Sequence, residues 1–554
     1  MRDETIAAML LARLGDDRPG LRSRDRSWTW DEVVRESAAR ASLARGLRRD
    51  GPFHIGVLLE NVPEYVLWLG AAALSGATVV GINPTRTGAY LEQEVRHTDP
   101  QLVVTDRAGL TLLDGLDIGV PRDRFLLIDE DGYAARVASH AREPEPDPSV
   151  TPLTQILLLF TSGTTGASKA ARCSQGRLAE LGRDNSAKYD IKRGDVCYCP
   201  MPLFHGNALM ALWAPSLAVG ATVALAERFS ASGFLPDVRF YGATFFTYVG
   251  KAIGYILATP ERPDDGDNTL THGFGTEASP EDKAAFRRRF GATLMEGYGS
   301  SESAGMIKRV AETPPAALGR PAHDGVRVVN PETRETCAPA ILDGHGRVTN
   351  AEAAVGEIVD VHGAAKFEGY YKNPEADAER VRHGWYWTGD LGYVDADGFL
   401  YFGGRSGDWI RVDSENISAL HIQNVVRRHP KIVDAVAFGV PDPRSGDRVM
   451  AAIEIPPGVR FEDLDFAAFL AAQDDLGTKG APRFVRVSHA LPTTGSGKLK
   501  RRELQLDGWR TRDPVFWWAG RGAPEYVRMT EADREALRAE FAAAAAAASS
   551  RELP

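Results

Sequence analysis

A segment rich in glycine and hydroxyl side chains follows an apolar run and ends in a lysine. The run ILLLF, residues 156–160, predicts a buried strand, and residues 161–169 read TSGTTGASK. Such a loop can turn backbone N–H groups inward to bind phosphate oxygens. Its hydroxyl groups add donors, and Lys169, the first lysine of the chain, adds a positive charge. The segment therefore predicts a phosphate-binding loop, although its spacing is not that of the Walker A motif.

Four further motifs follow this loop in the order found in one protein family. They are EGYGSSE at 296–302, WTGD at 387–390, GR at 404–405 and PTTGSGKLKR at 492–501. With the loop, they resemble the adenylate-forming superfamily of acyl-CoA synthetases, adenylation domains and luciferases. Finer features resemble the fatty-acid-transport-type, very-long-chain acyl-CoA synthetases. These features are FTYVGK at 246–251, GRSGD at 404–408, SENI at 414–417 and DPVFWW at 513–518.

The resemblance implies activation of a carboxylic acid in two steps. The carboxylate would attack the α-phosphate of ATP, giving an acyl-AMP and pyrophosphate, because AMP leaves a carbonyl far more readily than oxide does. The acyl group would then pass to CoA. In the first step the protein mainly positions groups and neutralises charge. ATP and Mg²⁺ are the implied cofactors, CoA is the co-substrate, and the acid is expected to be hydrophobic and fatty.

The resemblance also implies which residues bind the nucleotide. The implied set is Thr161, Ser162, Gly163, Thr164, Thr165, Gly166, Lys169, Gly275, Thr276, Glu277, Gly297, Tyr298, Gly299, Ser300, Ser301, Asp390 and Arg405. Within it, Tyr298 would stack on adenine, and Asp390 would accept hydrogen bonds from both ribose hydroxyls. Glu302 and Thr165 would hold Mg²⁺, a cation that prefers oxygen ligands.

The catalytic and acid-binding groups are implied in the same way. Lys498 would stabilise charge that develops on the α-phosphate and carboxylate oxygens. The implied catalytic residues are Lys498, Glu302, Thr165 and His205. His205, within PLFHG at 202–206, would lie at the mouth of the acid pocket. The residues expected to line that pocket are His205, Phe246, Tyr248 and Val249.

The order of elements predicts two domains. Short β-rich runs alternate with helical patterns through most of the N-terminal part, which indicates an α/β fold. The composition shifts at 403–404, and a strand–helix–strand pattern follows. We therefore expect a large domain of layered, largely parallel sheets at 1–404 and a small, mobile α+β domain at 405–554. Ser406 and Gly407 fit the hinge that the family resemblance implies, since glycine tolerates either sign of φ.

The acceptor half of the site departs from the family pattern. Asp413 and Ser414 stand where the family usually has Ser-Gly or Lys-Gly, and His421 and Gln423 stand where Glu is usual. This leaves open an adenylate-forming ligase that uses an amine, a hydroxyl or a carrier-protein thiol as acceptor. It also leaves open nitrite as the acid, as in an ATP-dependent diazotase. A non-enzymatic sensor of nucleotide or acyl ligands is the third alternative.

Composition narrows the classes of protein to which the chain could belong. Of 554 residues, 43% are hydrophobic and 25% charged, which is typical of globular proteins. The net charge of -10 argues against a nucleic-acid partner, and four cysteines cannot form a disulfide framework. The apolar stretch 65–82 is rich in alanine and glycine and predicts a buried helix and strand rather than an integral membrane segment. The N-terminus has no signal-peptide layout, so we expect a cytoplasmic enzyme, and the family suggests a homodimer.

Overall fold

The computed structural model describes residues 4–549 apart from several short segments. These segments are 162–168, 250, 277, 279, 303–305, 345–347, 406–408, 413–414, 442–446, 474–475, 477–479, 495–497 and 519–524. Strands and helices alternate along most of the described chain, as expected for an α/β protein.

The strands are short and mostly buried in the N-terminal half. In chain order they are β1 (Pro19–Arg22), β2 (Ser27–Thr29), β3 (His54–Leu58), β4 (Thr78–Gly81), β5 (Leu102–Thr105), β6 (Phe125–Leu127), β7 (Gln155–Thr161), β8 (Lys169–Ser174), β9 (Val196–Cys199), β10 (Thr222–Leu225), β11 (Phe245–Val249), β12 (His272–Thr276), β13 (Thr293–Glu296), β14 (Ile307–Lys308), β15 (Arg320–Pro321), β16 (Val326–Val329), β17 (Gly356–Asp360), β18 (Val381–Arg382), β19 (Trp385–Val394), β20 (Leu400–Arg405), β21 (Trp409–Val412), β22 (Glu415–Ser418), β23 (Asp434–Pro441), β24 (Asp447–Glu454), β25 (Phe484–Ser488), β26 (Val515–Trp518) and β27 (Tyr526–Arg528).

The helices lie between these strands and cover the sheets. In chain order they are α1 (Ile6–Leu11), α2 (Trp30–Leu47), α3 (Pro63–Ser75), α4 (Gly88–His97), α5 (Arg107–Leu112), α6 (Tyr133–Ala138), α7 (Gln175–Lys188), α8 (Gly206–Ala208), α9 (Ala214–Val219), α10 (Phe234–Tyr241), α11 (Lys251–Leu257), α12 (Pro280–Phe290), α13 (Ala351–Ala354), α14 (Pro374–Arg380), α15 (Ala419–Arg427), α16 (Phe466–Ala471), α17 (Arg501–Asp507) and α18 (Glu531–Ser549). A π-helix, Leu209–Trp213, joins α8 to α9.

Two largely parallel sheets form the centre of the N-terminal part. One has the strand order β6-β5-β3-β4-β7-β8, and only its edge strand β8 runs antiparallel to its neighbour. The other has the order β13-β12-β11-β9-β10-β1-β2, in which the β1–β2 hairpin is antiparallel. A third, antiparallel sheet, built around β16, β17, β19 and β20, follows them. The α/β class with layered parallel sheets is confirmed.

A separate small sheet is built from the C-terminal part of the chain. Its order is β23-β24-β25-β26-β27, with α15 and α17 packed against β23. The aromatic tail segment supplies β26, and β27 follows as an edge strand. The predicted boundary at 404/405 falls on the last two residues of β20, and the division into two domains stays a prediction.

The most apolar stretch of the sequence is a buried helix followed by a buried strand, as predicted. All of α3 from Tyr65 to Ser75 is buried, and α3 packs against α2. β4, which follows, pairs with β3 and β7 in the centre of its sheet. Among the described residues, no helix is long and apolar enough to cross a membrane.

A turn of π-helix lies directly before a helix that has a proline in its first turn. Pro215, in the first turn of α9, has no N–H, so it cannot bond to the carbonyl four residues earlier. The chain widens to π-helical spacing over Leu209–Trp213, and Asn185 Nδ2 donates to the carbonyl of Met210 at 2.9 Å. Such bulges are common at functional sites. This one lies directly after His205 and α8.

Three strands of the two parallel sheets end where predicted nucleotide-binding segments begin. β7 ends at Thr161, β12 at Thr276 and β13 at Glu296, and a predicted nucleotide-binding segment follows each of them. Ligands of α/β sheets bind outside the carboxyl ends of the strands. β12 and β13 are parallel neighbours in one sheet, so the segments after them start side by side, whereas β7 belongs to the other sheet.

A buried arginine connects α11 to α12, the helix that precedes β13. Arg289, in the last turn of α12, donates through Nε to Asp265 Oδ2 at 2.6 Å, and both side chains are buried. Its other nitrogens donate to the carbonyls of Ile256, Leu257, Thr259 and Pro260. One planar guanidinium thus ties the end of α11 to α12.

We predict that Arg289→Lys lowers the free energy of unfolding by about 2 kcal/mol, because lysine keeps the charge but cannot reach several buried carbonyls at once. Thermal and urea unfolding would measure the loss. Arg288→Lys, at the exposed neighbouring position, is the matched control and should leave stability unchanged. Equal stability of the two variants would contradict this role for Arg289.

Candidate active site

The predicted phosphate loop connects the ends of two paired strands. Thr161, the last residue of β7, lies opposite Lys169, the first residue of β8. The predicted phosphate ligands between them lie outside the described residues; they are Ser162, Gly163, Thr164, Thr165 and Gly166. Lys169 Nζ donates to Glu379 Oε2 at 2.7 Å and lies 5.5 Å from the centre of the Tyr370 ring. The hydrogen bond and charge of Lys169 lower the pKa of Glu379.

Glu302 is a buried carboxylate that a tyrosine holds in place. Glu302 is only 6% exposed, and Tyr370 Oη donates to its Oε1 at 2.8 Å. Arg380 Nε in turn donates to Tyr370 Oη at 3.2 Å, and Arg380 Nη1 donates to the carbonyl of Thr388. A carboxylate fixed in this way suits Mg²⁺, a hard cation that binds oxygen ligands.

The two residues predicted to contact adenine and ribose are hydrogen-bonded to each other. Tyr298 Oη donates to Asp390 Oδ2 at 2.8 Å. Burial raises the pKa of Tyr298 well above its ordinary value, and the charge of Asp390 raises it further. Tyr298 therefore stays protonated and remains a donor to Asp390. In the strand pair β19–β20, Asp390 lies opposite Arg405, whose side chain is outside the described part of the chain.

Glycines at two of the predicted nucleotide-binding positions are required by close packing. A Cβ at Gly275 would lie 2.4 Å from the carbonyl oxygen and from a ring carbon of Tyr248. A Cβ at Gly297 would lie 2.5 Å from the Phe274 ring. The neighbouring Thr276 ends β12 and is partly exposed, and Glu277 is outside the described residues.

The loop after β13 lies close to the segment that carries His205. Arg177 Nη2 donates to the carbonyl of Ser301 at 2.8 Å. A Cβ at Gly206 would lie 2.9 Å from Ser301 Oγ, so the backbone at Gly206 lies close to this side chain. Ser300 Oγ accepts the N–H of Glu302 at 3.2 Å, which bends the end of the motif. The structure thus brings Ser301 of the EGYGSSE motif against the start of α8.

The three residues predicted to line the acid pocket together with His205 do not share one face of β11. Phe246 packs on Phe234 and Phe286, at ring-centre distances of 5.0 and 5.7 Å, toward α10 and α12. Tyr248 lies on that same face, and its Oη donates to Glu296 Oε1 at 2.6 Å. Side chains alternate along a strand, so Val249 faces the opposite side. Of the three, Val249 alone is on the face opposite α10 and α12.

His205 lies near a lysine of the C-terminal part of the chain and a glutamate of the N-terminal part. Burial first and the charge of Lys498 second lower the pKa of His205 to about 4, against the opposing charge of Glu302. The imidazole is therefore neutral at pH 7. Its Nδ1 is buried and has no hydrogen-bond partner among the described residues. The structure thus brings three of the predicted catalytic residues together: His205, Glu302 and Lys498.

Lys498 is presented by a hairpin of the C-terminal part. Thr493 and Leu499 form a β-bridge, and the N–H of Thr494 donates to the carbonyl of Lys498 at 2.7 Å. Arg501 Nη2 donates to Gln423 Oε1 at 2.9 Å, so the glutamine at the divergent position on α15 supports this segment. The predicted hinge residues Ser406 and Gly407 and the divergent pair Asp413 and Ser414 are outside the described residues.

Sequence reasoning missed Tyr370 and Arg380. Tyr370 follows a glycine and precedes a second tyrosine, and neither neighbour indicates a functional role. Its partner Glu302 is 68 positions away, so no local spacing joins the two residues. Only the tertiary structure reveals their contact.

We predict that Lys498→Ala raises the pKa of His205 above about 4, because a neighbouring positive charge disfavours imidazolium and its removal relieves that effect. Burial should still keep this pKa below its ordinary value. NMR of ¹⁵N-histidine-labelled protein across pH 3–8 would measure the change. Lys500→Ala is the control, since Lys500 Nζ pairs with Glu503 at 3.1 Å. An unchanged His205 pKa in Lys498→Ala would contradict the proximity.

The same depressed pKa has a consequence for stability. A folded state that resists protonation of His205 loses stability relative to the unfolded chain as the pH falls below the ordinary histidine pKa. We expect the free energy of unfolding of His205→Gln to fall less between pH 7 and pH 5 than that of the unchanged protein. Urea unfolding at the two pH values would test this, and equal losses would contradict it.

Comparison with known proteins identifies the family of the chain. The model of the AMP-binding enzyme family matches residues 11–371, and that of the AMP-binding enzyme C-terminal domain matches residues 421–498. The steroid-22-oyl-CoA synthetase of Rhodococcus jostii (strain RHA1) is 64% identical over 538 residues, covering 97% of each chain. The medium/long-chain-fatty-acid–CoA ligase FadD17 of Mycobacterium tuberculosis (strain ATCC 25618 / H37Rv) is 41% identical, covering 92% of this chain and 98% of that one.

Solved structures have the same fold. The crystal structure of the anthranilate CoA ligase AuaEII in complex with anthranoyl-AMP superposes with a TM-score of 0.80 at 20% identity, covering 91% of this chain and 96% of that one. This agreement shows the fold, and the matched family models and the 64% identical relative establish the family. The chain belongs to the AMP-binding enzyme family, and so to the adenylate-forming superfamily that its motifs resemble.

Proposed function

We propose that the chain converts a steroid carboxylic acid, with its carboxylate on the steroid side chain, into the corresponding CoA thioester. It is an ATP-dependent carboxylate–CoA ligase that acts on a hydrophobic acid. The observation that carries the steroid assignment is the 64% identity to steroid-22-oyl-CoA synthetase over 97% of both chains. Because the alignment covers 97% of both chains, it includes the residues that are expected to bind the acid.

The first step needs the carboxylate and the α-phosphate, both anionic, to approach each other. Lys498 is a cation near His205. We assign it the role of stabilising the charge that develops on the α-phosphate and carboxylate oxygens. His205 is neutral at pH 7, so it adds no second positive charge, and we assign it to positioning the carboxylate. Asp390 would bind the ribose hydroxyls, and the hydrogen bond from Tyr298 Oη holds the side chain of Asp390 in place.

We assign Mg²⁺ to Glu302 and Thr165. The fit rests on Glu302, a buried carboxylate that offers the oxygen ligands this cation prefers. When bound, Mg²⁺ supplies positive charge to the phosphates. Glu302 is kept in position by Tyr370, and Thr165 is assigned as the second ligand from its place in the phosphate-loop motif. Lys169 would contribute to the phosphates as a second cation, exchanging its partner Glu379 for a phosphate oxygen.

The second candidate acid is a medium- or long-chain fatty acid. The observation that favours it is the 41% identity to a fatty-acid–CoA ligase over 92% of this chain. A fatty acid is also what the finer sequence motifs predict. The lower identity ranks it behind the steroid acid. Homodimer formation and a cytoplasmic location stay predictions from the family, and the mass of the protein in solution tests the former.

We predict that a steroid-22-oic acid gives the highest kcat/KM, with stoichiometric AMP, pyrophosphate and CoA thioester. Pyrophosphate release would be measured with ATP, Mg²⁺ and each acid, with and without CoA, and the thioester identified by mass spectrometry. Decanoic and palmitic acids are the comparison substrates. A higher kcat/KM for either fatty acid would overturn the steroid assignment. Pyrophosphate release without a CoA product would instead support an amine acceptor or nitrite, as Asp413 and Ser414 left open.

We predict that Lys498→Ala lowers the rate of adenylation by about 100-fold or more, since one oriented charged donor is typically worth that much. Formation of thioester from supplied acyl-AMP should change far less, because that half-reaction transfers no phosphoryl group. Single-turnover assays of each half-reaction would separate the two effects, with Lys500→Ala as the control. Equal loss in both half-reactions would contradict the role assigned to Lys498.

A further inference from the structure

Tyr370 connects three parts of the ATP site that are distant in the sequence. It is 1% exposed, and its backbone forms a bridge with Ala171 of β8, the strand that begins at Lys169. Its hydroxyl donates to Glu302 Oε1 at 2.8 Å, and its ring lies 5.5 Å below Lys169 Nζ. One side chain therefore contacts the phosphate-loop strand, the metal carboxylate and, through Arg380, the ribose motif.

Arg380 fixes the hydroxyl of Tyr370 from the other side. Arg380 Nε donates to Tyr370 Oη at 3.2 Å, so the hydroxyl proton is directed to Glu302. Arg380 Nη1 donates to the carbonyls of Thr388 and, at 3.4 Å, Trp387, which precede Asp390 in β19. The guanidinium is thus anchored to the strand that presents the ribose carboxylate.

We infer that Tyr370 is a positioning residue for the metal carboxylate: its hydroxyl, held by Arg380, donates to Oε1 of Glu302 and fixes the orientation in which this carboxylate meets the divalent cation. The inference rests on the proposed function, in which Glu302 binds Mg²⁺. It adds the residue that orients this ligand.

Burial makes the hydroxyl of Tyr370 a dependable donor. Tyr370 is 1% exposed, so water does not compete for the hydroxyl. A hydrogen bond to a charged, buried acceptor is stronger than one between neutral groups. Without this bond, the carboxylate of Glu302 could rotate away from the orientation that the metal needs.

The test compares two adjacent tyrosines. Tyr370→Phe removes the hydroxyl and keeps the ring beneath Lys169. Tyr371→Phe is the matched control, because Tyr371 is also largely buried but its Oη donates to Asp99 Oδ2 at 2.9 Å, a contact apart from Glu302. The readout is the Kd of Mn²⁺ for each full-length protein with α,β-methylene-ATP, measured by electron paramagnetic resonance.

We expect Tyr370→Phe to weaken Mn²⁺ binding about tenfold, as loss of one hydrogen bond to a charged group predicts, and Tyr371→Phe to leave it unchanged. The KM for Mg²⁺ in pyrophosphate release should rise in parallel. A thermal unfolding temperature measured on each variant separates this effect from misfolding. A lower unfolding temperature with an unchanged Kd for Mn²⁺ would show a merely structural tyrosine and overturn the inference.

Glu302→Gln distinguishes the inference from the proposal on which it rests. If Glu302→Gln weakens Mn²⁺ binding and Tyr370→Phe does not, the positioning role of Tyr370 fails while the metal role of Glu302 stands. If Glu302→Gln leaves Mn²⁺ binding unchanged, the metal role fails and the inference fails with it. Formation of the CoA thioester by the unchanged protein tests the ligase function independently of both results.

Discussion

The arrangement of the site depends on the hydrogen bonds and charges that compensate one buried carboxylate, that of Glu302. An ionised carboxylate is costly to bury unless hydrogen bonds and opposite charges compensate it. Tyr370 supplies the hydrogen bond, Arg380 lies behind it with a positive charge, and Lys498 lies across from it near His205. These groups come from separate segments of the chain. The fold must therefore bring the segments together before the carboxylate can be accommodated.

Hydrogen-bonded tyrosines recur as the means of holding carboxylates in this site. Tyr298 donates to Asp390 as Tyr370 donates to Glu302, and burial keeps both phenols protonated. A phenol brings a rigid ring that packs in the core and a single donor at a fixed distance from the backbone. It adds no charge of its own. These two carboxylates are thus held without a direct ion pair from the tyrosines, and the neutral imidazole of His205 likewise adds no charge.

Features with local signals could be predicted from the sequence. Residues 30–47 have a helical pattern in the sequence, and they form α2, which Thr29 and Glu32 begin with a capping box. A second helical pattern, at 179–189, falls in α7, but this helix begins four residues earlier, where Ser174 Oγ accepts the N–H of Arg177. The run at 156–160, predicted as a buried strand, lies within β7.

Contacts across the fold could not be predicted in this way. Tyr298 and Asp390 are 92 positions apart, and no spacing in the sequence indicates their hydrogen bond. The pocket prediction treated Phe246, Tyr248 and Val249 as a set, whereas strand alternation separates them. Motif resemblance identifies which residues matter. Tertiary packing decides which of them meet, and it adds partners such as Arg380 that have no motif.

The π-helix beside His205 amounts to one additional residue in an otherwise α-helical path. Five residues, Leu209–Trp213, take up the widened turn between α8 and α9. An α-helix turns by roughly 100° for each residue, at 3.6 residues per turn. A chain one residue shorter here would restore α-helical spacing and rotate everything before it by that angle relative to α9. The direction of His205 toward the site is thus a matter of register, set by the length of the chain between two helices and not by the identity of the histidine alone.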